Sequence, residues 1–239
     1  MAKVSGLNVR LYVEGKDMSG SANALDGAGY SQALLETTPL NEAAATRITG
    51  LADGSISVNG YFDTTDDAPW AENSGKLPSA DVVVLTALNS AVGDPSVGMN
   101  AKEADWNVSR SSGSAVSVSS TFTGNGMGGE FGQMLTAHDD THSSAGAGTV
   151  ADSGAASTAG GAGYMQIISL SSGTPTVKIQ HATSSSGSYS DLVTFTATGT
   201  GSVPSAERVE VSGTVNRYLK VVTTGTFSNA KIAVAFARF

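Results

Sequence analysis

The sequence contains no cysteine, which excludes disulfides, thiol chemistry and thiolate metal sites. Stability must therefore come from packing and β-pairing. Charged residues are also scarce, at 14% of 239 positions, while 40% of positions are apolar and 29 are glycine. The surface must be built largely from serine, threonine, glycine and asparagine. Such a surface suits a protein that packs against neighbours better than a freely soluble enzyme.

Long apolar runs are also missing. No stretch is long and apolar enough for a transmembrane helix, and the first twenty residues, MAKVSGLNVRLYVEGKDMSG, are too polar for a signal peptide. The sequence therefore predicts a protein that is made and assembled in the cytoplasm, without membrane contact.

Catalytic motifs are missing as well. The chain has three histidines, no G-x-S-x-G motif and no paired-carboxylate motif, and its GNGMGG segment lacks the lysine of a phosphate-binding loop. That glycine segment is typical of a turn or bulge. The sequence predicts neither an enzyme nor a cofactor.

Two segments resemble metal sites only superficially. His138 and His142 have the i, i+4 spacing of zinc ligands, with Asp139 and Asp140 between them, but they lie in a Ser/Gly-rich stretch that favours a solvated hinge over a helix. The acidic run DTTDDAPWAEN lacks the spacing of a calcium loop and indicates an acidic surface. The third histidine, His181, follows a strand pattern and is predicted to be a core or edge residue. We predict no metal.

Charge is divided unevenly along the chain. Up to Ala137 there are 7 Lys and Arg against 15 Asp and Glu, whereas from His138 onward there are 6 of each. The whole acidic excess therefore lies in the first half, which argues against a nucleic-acid grip by basic residues.

Patterns in the first half predict a sheet with one helix. Alternation predicts a half-buried strand over Leu7–Val13, and the glycine-broken Glu14–Thr46 is predicted to be a loop. The segments TRITG and SISVNGYF predict two strands joined by a hairpin turn at Ala52-Asp53-Gly54. Helical spacing of Val82, Leu85 and Leu88 predicts a helix over Ser79–Asn89, capped by Ser79. Further strands are predicted over 106–108 and 115–123.

Patterns in the second half predict a β-sandwich, Ig-like or of jelly-roll type. Six short strands are predicted, over Tyr164–Leu170, Val177–His181, Leu192–Thr198, Glu207–Val211, Tyr218–Thr223 and Lys231–Phe239. The small-residue stretch before them indicates a linker, with one short strand around Thr149-Val150. The prediction is a mainly β chain with a first domain over 1–140, a linker over 141–162 and a C-terminal β-sandwich over 163–239.

The ending RYLKVVTTGTFSNAKIAVAFARF resembles the C-terminal part of major tail proteins, the tail tube subunits of long-tailed (siphovirus-type) bacteriophages of actinobacteria. The resemblance extends through ITGLADGSISVNGYFD and SADVVVLTALNS. It implies a structural virion protein whose tail tube β-sandwich or barrel, with one packed helix, forms hexameric rings that stack into a tube. In this arrangement the loop Glu14–Thr46 bridges rings, and the C-terminal domain decorates the outside.

The resemblance also implies partners and a lining. The partners are further copies of the chain, the tape measure protein and DNA within the lumen, and the tail terminator and tip proteins. The lumen of such tubes is acidic, and DNA slides through it during ejection. The acidic residues on or beside predicted strands are therefore the candidates for the lumen-facing wall: Asp53, Asp63, Glu103, Asp105 and Glu130.

Other functions remain open. One alternative is a capsid decoration protein or another virion surface protein, in which Tyr164, Tyr189, Tyr218 and Phe227 form a sugar-binding platform of the C-terminal domain, although a core position is favoured for Tyr218 and Phe227. A secreted carbohydrate-active module is disfavoured, because a signal peptide and paired carboxylates are missing.

Overall fold

A computed structural model describes residues 8–63, 80–126, 128–138 and 140–239. These residues form a mainly β structure of antiparallel strands, as the sequence predicts, and include no helix of seven or more residues. No helix among them has the length and apolar character that crossing a bilayer demands.

Sixteen strands follow one another in the described residues. Those of the first half are β1 (Arg10–Val13), β2 (Lys16–Asp17), β3 (Ala22–Glu36), β4 (Arg47–Tyr61), β5 (Val82–Ala87), β6 (Pro95–Ser109), β7 (Ser117–Gly124) and β8 (Glu130–Met134). Those of the second half are β9 (Thr141–His142), β10 (Gly146–Asp152), β11 (Gly161–Gly173), β12 (Thr176–Ala182), β13 (Ser190–Thr194), β14 (Ser205–Val211), β15 (Tyr218–Thr224) and β16 (Phe227–Arg238).

The strands form two sheets. The larger has 12 strands, and its main path runs β14-β11-β16-β8-β6-β5-β1-β2. From β6 a branch leads through β7 and β4 to β3, and β9 pairs with β16. The smaller sheet has the order β10-β15-β12-β13. Both halves of the chain thus contribute to the larger sheet. The two halves meet where β8 of the first half pairs with β16 of the second.

The predicted helix over Ser79–Asn89 is wrong. Residues 82–87 form β5, which pairs with β1 on one side and β6 on the other. All six of its residues are buried, so both faces of the strand are covered and the alternation that marks a half-exposed strand is lost. The run of Val82, Val83 and Val84 favours the extended backbone. Ser79, the predicted cap, lies outside the described residues, as does most of the acidic run DTTDDAPWAEN.

The predicted loop over Glu14–Thr46 and the predicted turn at 52–54 are also wrong. β3 runs for 15 residues through that loop, and β4 runs unbroken for 15 residues through Asp53-Gly54. Gly54 stays in the strand, opposite Tyr30. A Cβ on Gly54 would lie 2.4 Å from the backbone nitrogen of Gly129, so the position needs glycine for a close crossing of two backbones rather than for a turn.

The six strands predicted for the second half are confirmed, with ends that move by a few residues. The short strand expected around Thr149-Val150 lies within β10. The stretch predicted as a linker carries β9, β10 and the beginning of β11. The division at 140 and 163 into two domains stays a prediction.

Three apolar clusters stabilise the structure. The first lies between the smaller sheet and the strands β11 and β16, and includes Ile179, Val221 and Phe236. The second, which includes Ile56 and Phe122, lies beneath β4 and β7. The third connects the first and second halves of the chain, since Tyr12 and Leu85 belong to it together with Tyr164, Ala233 and Ala235.

Candidate functional site

The branch of the larger sheet is the most distinctive surface of the chain. It consists of β3, β4, β7 and residues 101–109 of β6, in that spatial order, and is called the branch sheet below. Its register places Ile56 opposite both Ala28 and Phe122, and Phe122 opposite Glu103. Residues opposite one another in an antiparallel pair share a face. The register therefore fixes which side chains point together.

One face of the branch sheet is apolar and buried. Ile56, Val58, Val118 and Phe122 are 0 to 2% exposed and belong to the second apolar cluster. Because side chains alternate along a strand, the residues between them point to the opposite side.

That opposite side carries mostly hydroxyl and amide groups. We call it the hydroxyl face. Its members from β4, β7 and β6 are Asp53, Ser55, Ser57, Asn59, Tyr61, Ser117, Ser119, Thr121, Thr123, Lys102, Asp105, Asn107 and Ser109. The hydroxyls of Ser109 and Ser117 lie 2.9 Å apart, and Ser57 donates to Thr121 at 3.4 Å. The face is polar, and its charged residues are Lys102, Asp53 and Asp105, together with Asp26 of β3, which accepts a hydrogen bond from Asn59.

Both edges of the branch sheet are open in the described residues. β3 pairs with β4 alone, and residues 102–109 of β6 pair with β7 alone. β3 is long and mostly exposed. A long open edge presents a row of main-chain donors and acceptors, which is a template for pairing with another chain.

The far end of the β3–β4 hairpin is apolar and exposed. Its exposed large side chains are Leu34 (64%), Leu35 (51%), Leu40 (109%), Ile48 (55%) and Leu51 (90%). Leu35 lies opposite Ile48 and therefore on one face, whereas Leu34 lies opposite Thr49 on the other. Nothing else in the described residues covers either face, and such a concentration of apolar groups is typical of a contact surface.

A glycine crossing fixes the base of this hairpin. Gly128 and Gly129 run over Gly29 and Gly54. A Cβ on Gly54, Gly128 or Gly129 would lie 2.4, 2.9 or 2.8 Å from a neighbouring atom. Beside the crossing, the rings of Tyr30 and Phe131 meet edge to face with centroids 6.0 Å apart. The crossing thus adds a close backbone contact with the segment before β8 to the pairing of β4 with β7.

The five acidic candidates for the lumen lie in three kinds of environment. Asp53 and Asp105 are exposed: Asp53 alternates with Ser55 and Ser57 along β4, and Asp105 lies opposite Thr121. Asp63 is half-buried just beyond the end of β4.

Glu103 and Glu130, in contrast, are only 3% and 8% exposed. Glu103 accepts a hydrogen bond of 2.8 Å from Ser120. Burial removes these two carboxylates from any surface that a lumen could use. The sequence pattern did not reveal this, because each carboxylate is satisfied by partners that are distant in sequence.

Glu130 belongs to a buried network that joins three strands. It accepts hydrogen bonds from the Tyr164 hydroxyl and from Arg208, whose Nη2 lies 2.5 Å from Oε1. The Nε of Arg208 also donates to the Tyr164 oxygen at 3.2 Å. Burial, and then the charge of Glu130, raises the pKa of Tyr164 well above its ordinary value. The tyrosine is therefore a permanent donor to Glu130, and the network ties β8 to β11 and β14.

The histidines form no metal centre in the described residues. The Nε2 of His142 lies 3.4 Å from Oδ2 of Asp140. His138 is buried, and Asp139 lies outside the described residues. The Nδ1 of His181 accepts a hydrogen bond from the backbone of Asn216 at 3.2 Å, and burial lowers the pKa of His181. His181 is thus half-buried in β12, as predicted for a core or edge residue.

The predicted sugar platform is only partly exposed. Tyr164 and Phe227 are buried, at 1% and 7% exposure, whereas Tyr189 and Tyr218 are half-buried at the smaller sheet. The Lys220 ammonium lies 3.9 Å from the centre of the Tyr189 ring. Two of the four rings therefore remain for a ligand on that sheet.

We expect Asp152, beside this platform, to titrate near pH 2. Hydrogen bonds from Arg217 and then from the Gly154 backbone lower the pKa of Asp152 from its ordinary value of 3.8 to about 2. Since the folded-state pKa is the lower one, the ion pair stabilises the fold above about pH 4, and this contribution disappears as the pH falls through 2. Carboxyl NMR titration would measure this directly.

Arg217→Gln is the matched control for that titration. It should return the pKa of Asp152 toward 3.8, because the first cause of the shift is removed. An unchanged titration in the variant would contradict the assignment.

No protein-family model and no curated protein matches the sequence. Among solved structures, one similar chain comes from the tail of an empty gene transfer agent particle, refined helically with C6 symmetry. It has a TM-score of 0.41 and 15% identity, and the match covers 52% of this chain and 96% of that one. The Dit protein (gp 19.1) of SPP1, a hub of the adsorption apparatus of phages that infect Gram-positive bacteria, has a TM-score of 0.37 and 11% identity, covering 99% and 100%. A chain of the phage p2 baseplate in its activated conformation has a TM-score of 0.36 and 10% identity, and the match covers 97% of this chain and 98% of that one. At these scores the likeness by itself assigns no function.

Proposed function

We propose that the protein is a non-enzymatic structural subunit of a phage tail, and that six copies form a ring of the tail tube. The observation that carries this proposal is the branch sheet with its two open edges. A sheet that is open at both edges can pair edge to edge with identical sheets on either side. Repeating such a heterologous contact around an axis closes a ring and leaves no edge unpaired.

The size of such a ring suits a conduit. Six branch sheets of four strands would make a barrel of about 24 strands, and at ordinary strand spacing and tilt its backbone diameter would be roughly 45 Å. A barrel of this width has an open lumen, since far smaller barrels already leave a channel. The lumen would admit double-stranded DNA and, before it, the tape measure protein.

The hydroxyl face is the side that would line the lumen. The opposite face of the branch sheet is covered by the second apolar cluster and by the rest of the chain, so only the hydroxyl face is free to turn inward. Of the five acidic candidates, Asp53 and Asp105 would then face the lumen, with Asp63 near the end of β4, and Asp26 beside Asn59 would join them. The smaller sheet would lie outside, where the decoration part of the predicted second domain belongs.

The exposed end of the β3–β4 hairpin would make the contact between rings. Leu40 and its apolar neighbours are exposed, and burying them against the next ring would remove a large apolar area from water. At the two ends of the tube, the same surfaces would meet the tail terminator and the tip proteins. The location that follows is the tail of the virion, assembled in the host cytoplasm.

Electron microscopy of the purified protein tests the proposal. We expect tubes or rings with a central hole and six-fold symmetry, and a reconstruction in which β3 of one copy pairs with β6 of the next. A monomer at concentrations of tens of micromolar, or a ring with the hydroxyl face outward, would contradict it.

A capsid decoration or other virion surface protein remains the alternative. It is favoured by one observation, the partial exposure of Tyr189 and Tyr218 beside Lys220 on the smaller sheet. Trimers or monomers without a central hole, together with binding of host polysaccharide, would support this alternative.

A further inference from the structure

The cations of the branch sheet are few, and each lies beside a carboxylate. The four strands contain only Arg47 and Lys102. Arg47 is at the hairpin end, directly opposite Glu36. Lys102 is opposite Thr123 and therefore lies on the hydroxyl face. The next cation along the chain, Arg110, lies beyond the end of β6.

Lys102 is held by a carboxylate from outside the branch sheet. Its Nζ lies 2.6 Å from Oδ1 of Asp81, the residue just before β5. Asn125, just after β7, donates to both oxygens of Asp81 at 2.9 and 3.0 Å. Hydrogen bonds from Lys102 and then from Asn125 lower the pKa of Asp81, so that it stays ionised at neutral pH. The geometry is specific: Asn125 orients the carboxylate, and the carboxylate orients the lysine.

An unneutralised lysine on this face would matter for a passing polyanion. Each phosphate that a cation contacts releases counterions and adds affinity, with a salt slope of about −0.9 per contact on duplex DNA. A tube would repeat the contact six times in every ring. Hydroxyl and amide groups carry no charge and therefore add none of this counterion-release affinity.

We propose that Asp81 is a positioning residue that neutralises Lys102, so that DNA in the tube meets no unneutralised cation on the hydroxyl face. The inference rests on the proposed function. It differs from a purely acidic lining, because low affinity for DNA here comes from neutral hydroxyls and one neutralised lysine, with Asp26, Asp53 and Asp105 as the remaining charges.

The test compares preformed tubes of the wild type and of Asp81→Asn. The asparagine keeps the shape of the side chain but removes its charge. The probe is a short fluorescent DNA duplex. Its binding to the tubes is measured by fluorescence anisotropy from low to physiological salt. Protection of the bound duplex from nuclease reports whether it lies inside the tube. We expect Asp81→Asn tubes to bind the duplex at least about tenfold more tightly at low salt, with a steeper salt slope and with the DNA protected.

The double variant Asp81→Asn/Lys102→Gln is the matched control, and it should return both affinity and salt slope to those of the wild type. Three results would overturn the inference: equal binding by Asp81→Asn and wild type, a gain that persists in the double variant, or bound DNA that stays nuclease-sensitive. Failure of the wild type to form tubes would instead overturn the proposed function, and this inference with it. Microscopy of every variant separates the two kinds of failure.

Discussion

Replacing Arg208 with methionine should lower the free energy of unfolding by about 3 to 5 kcal/mol, because the buried Glu130 carboxylate loses its cation. The Glu130 side chain is only 6% exposed and that of Arg208 19%, so water would replace the lost partner only in part. Tyr164 would remain as a donor to Glu130 but brings no positive charge. Urea denaturation followed by tryptophan fluorescence would measure the loss.

The double variant Glu130→Gln/Arg208→Met separates the charge from the packing. It removes the stranded carboxylate while keeping a side chain of similar size, so most of the lost stability should return. A single variant that loses less than about 1 kcal/mol would show that Glu130 reaches solvent and that the network is not buried in solution.

Replacing Gln32 with proline should prevent tube formation while leaving the monomer folded. Thr37 donates its N–H to Thr46 at 2.9 Å, across the hairpin. Because N–H groups alternate in direction along a strand, and β3 has no extra residue between 32 and 37, the N–H of Gln32 points to the open edge. Proline there removes a donor that only a neighbouring copy would use and places a ring in its path. The concentration needed for assembly should rise by at least about tenfold, as light scattering would show.

Gln32→Ala is the control, since it shortens the side chain but keeps the N–H. It should assemble like the wild type. If the proline variant also forms normal tubes, β3 is not an interface strand. If its circular dichroism shows a disrupted fold, Glu36→Pro against Glu36→Gln repeats the comparison at another outward N–H, since Glu36 precedes the inward-pointing N–H of Thr37.

The sequence predicted the second half of the fold well and the first half poorly, for a physical reason. β12 and β15 have one buried and one exposed face, so their alternation is visible along the chain. β5 is buried on both faces, and its uninterrupted apolar run reads equally well as one side of a helix. β3 differs from β5 in the opposite way. It is mostly exposed and contains glycines, so its sequence shows almost no hydrophobic alternation.

The candidate site shows the same limit. Alternation separates two faces of β6 and β7 but does not say which one is covered, since that depends on strands from elsewhere in the chain. Glu130 was predicted as a lumen-facing candidate because it is an acid beside a predicted strand. Its partner Arg208 lies 78 residues away, so the local sequence gives no sign of the pairing. Asp105 and Asp53 are on the surface, as expected of ordinary acids, but only the register shows that they share a face with the serines.

The glycine crossing at the base of the hairpin has a geometric consequence. From Gly54 to Arg47 the strand extends by roughly 23 Å, so a small rotation at the crossing moves the leucines at the far end by several ångströms. The direction in which the hairpin leaves the body is set where Gly54, Gly128 and Gly129 touch backbone to backbone. In a stacked assembly, that direction would decide the twist and the rise from one layer to the next. The pitch of the whole filament would then depend on three residues that have no side chains.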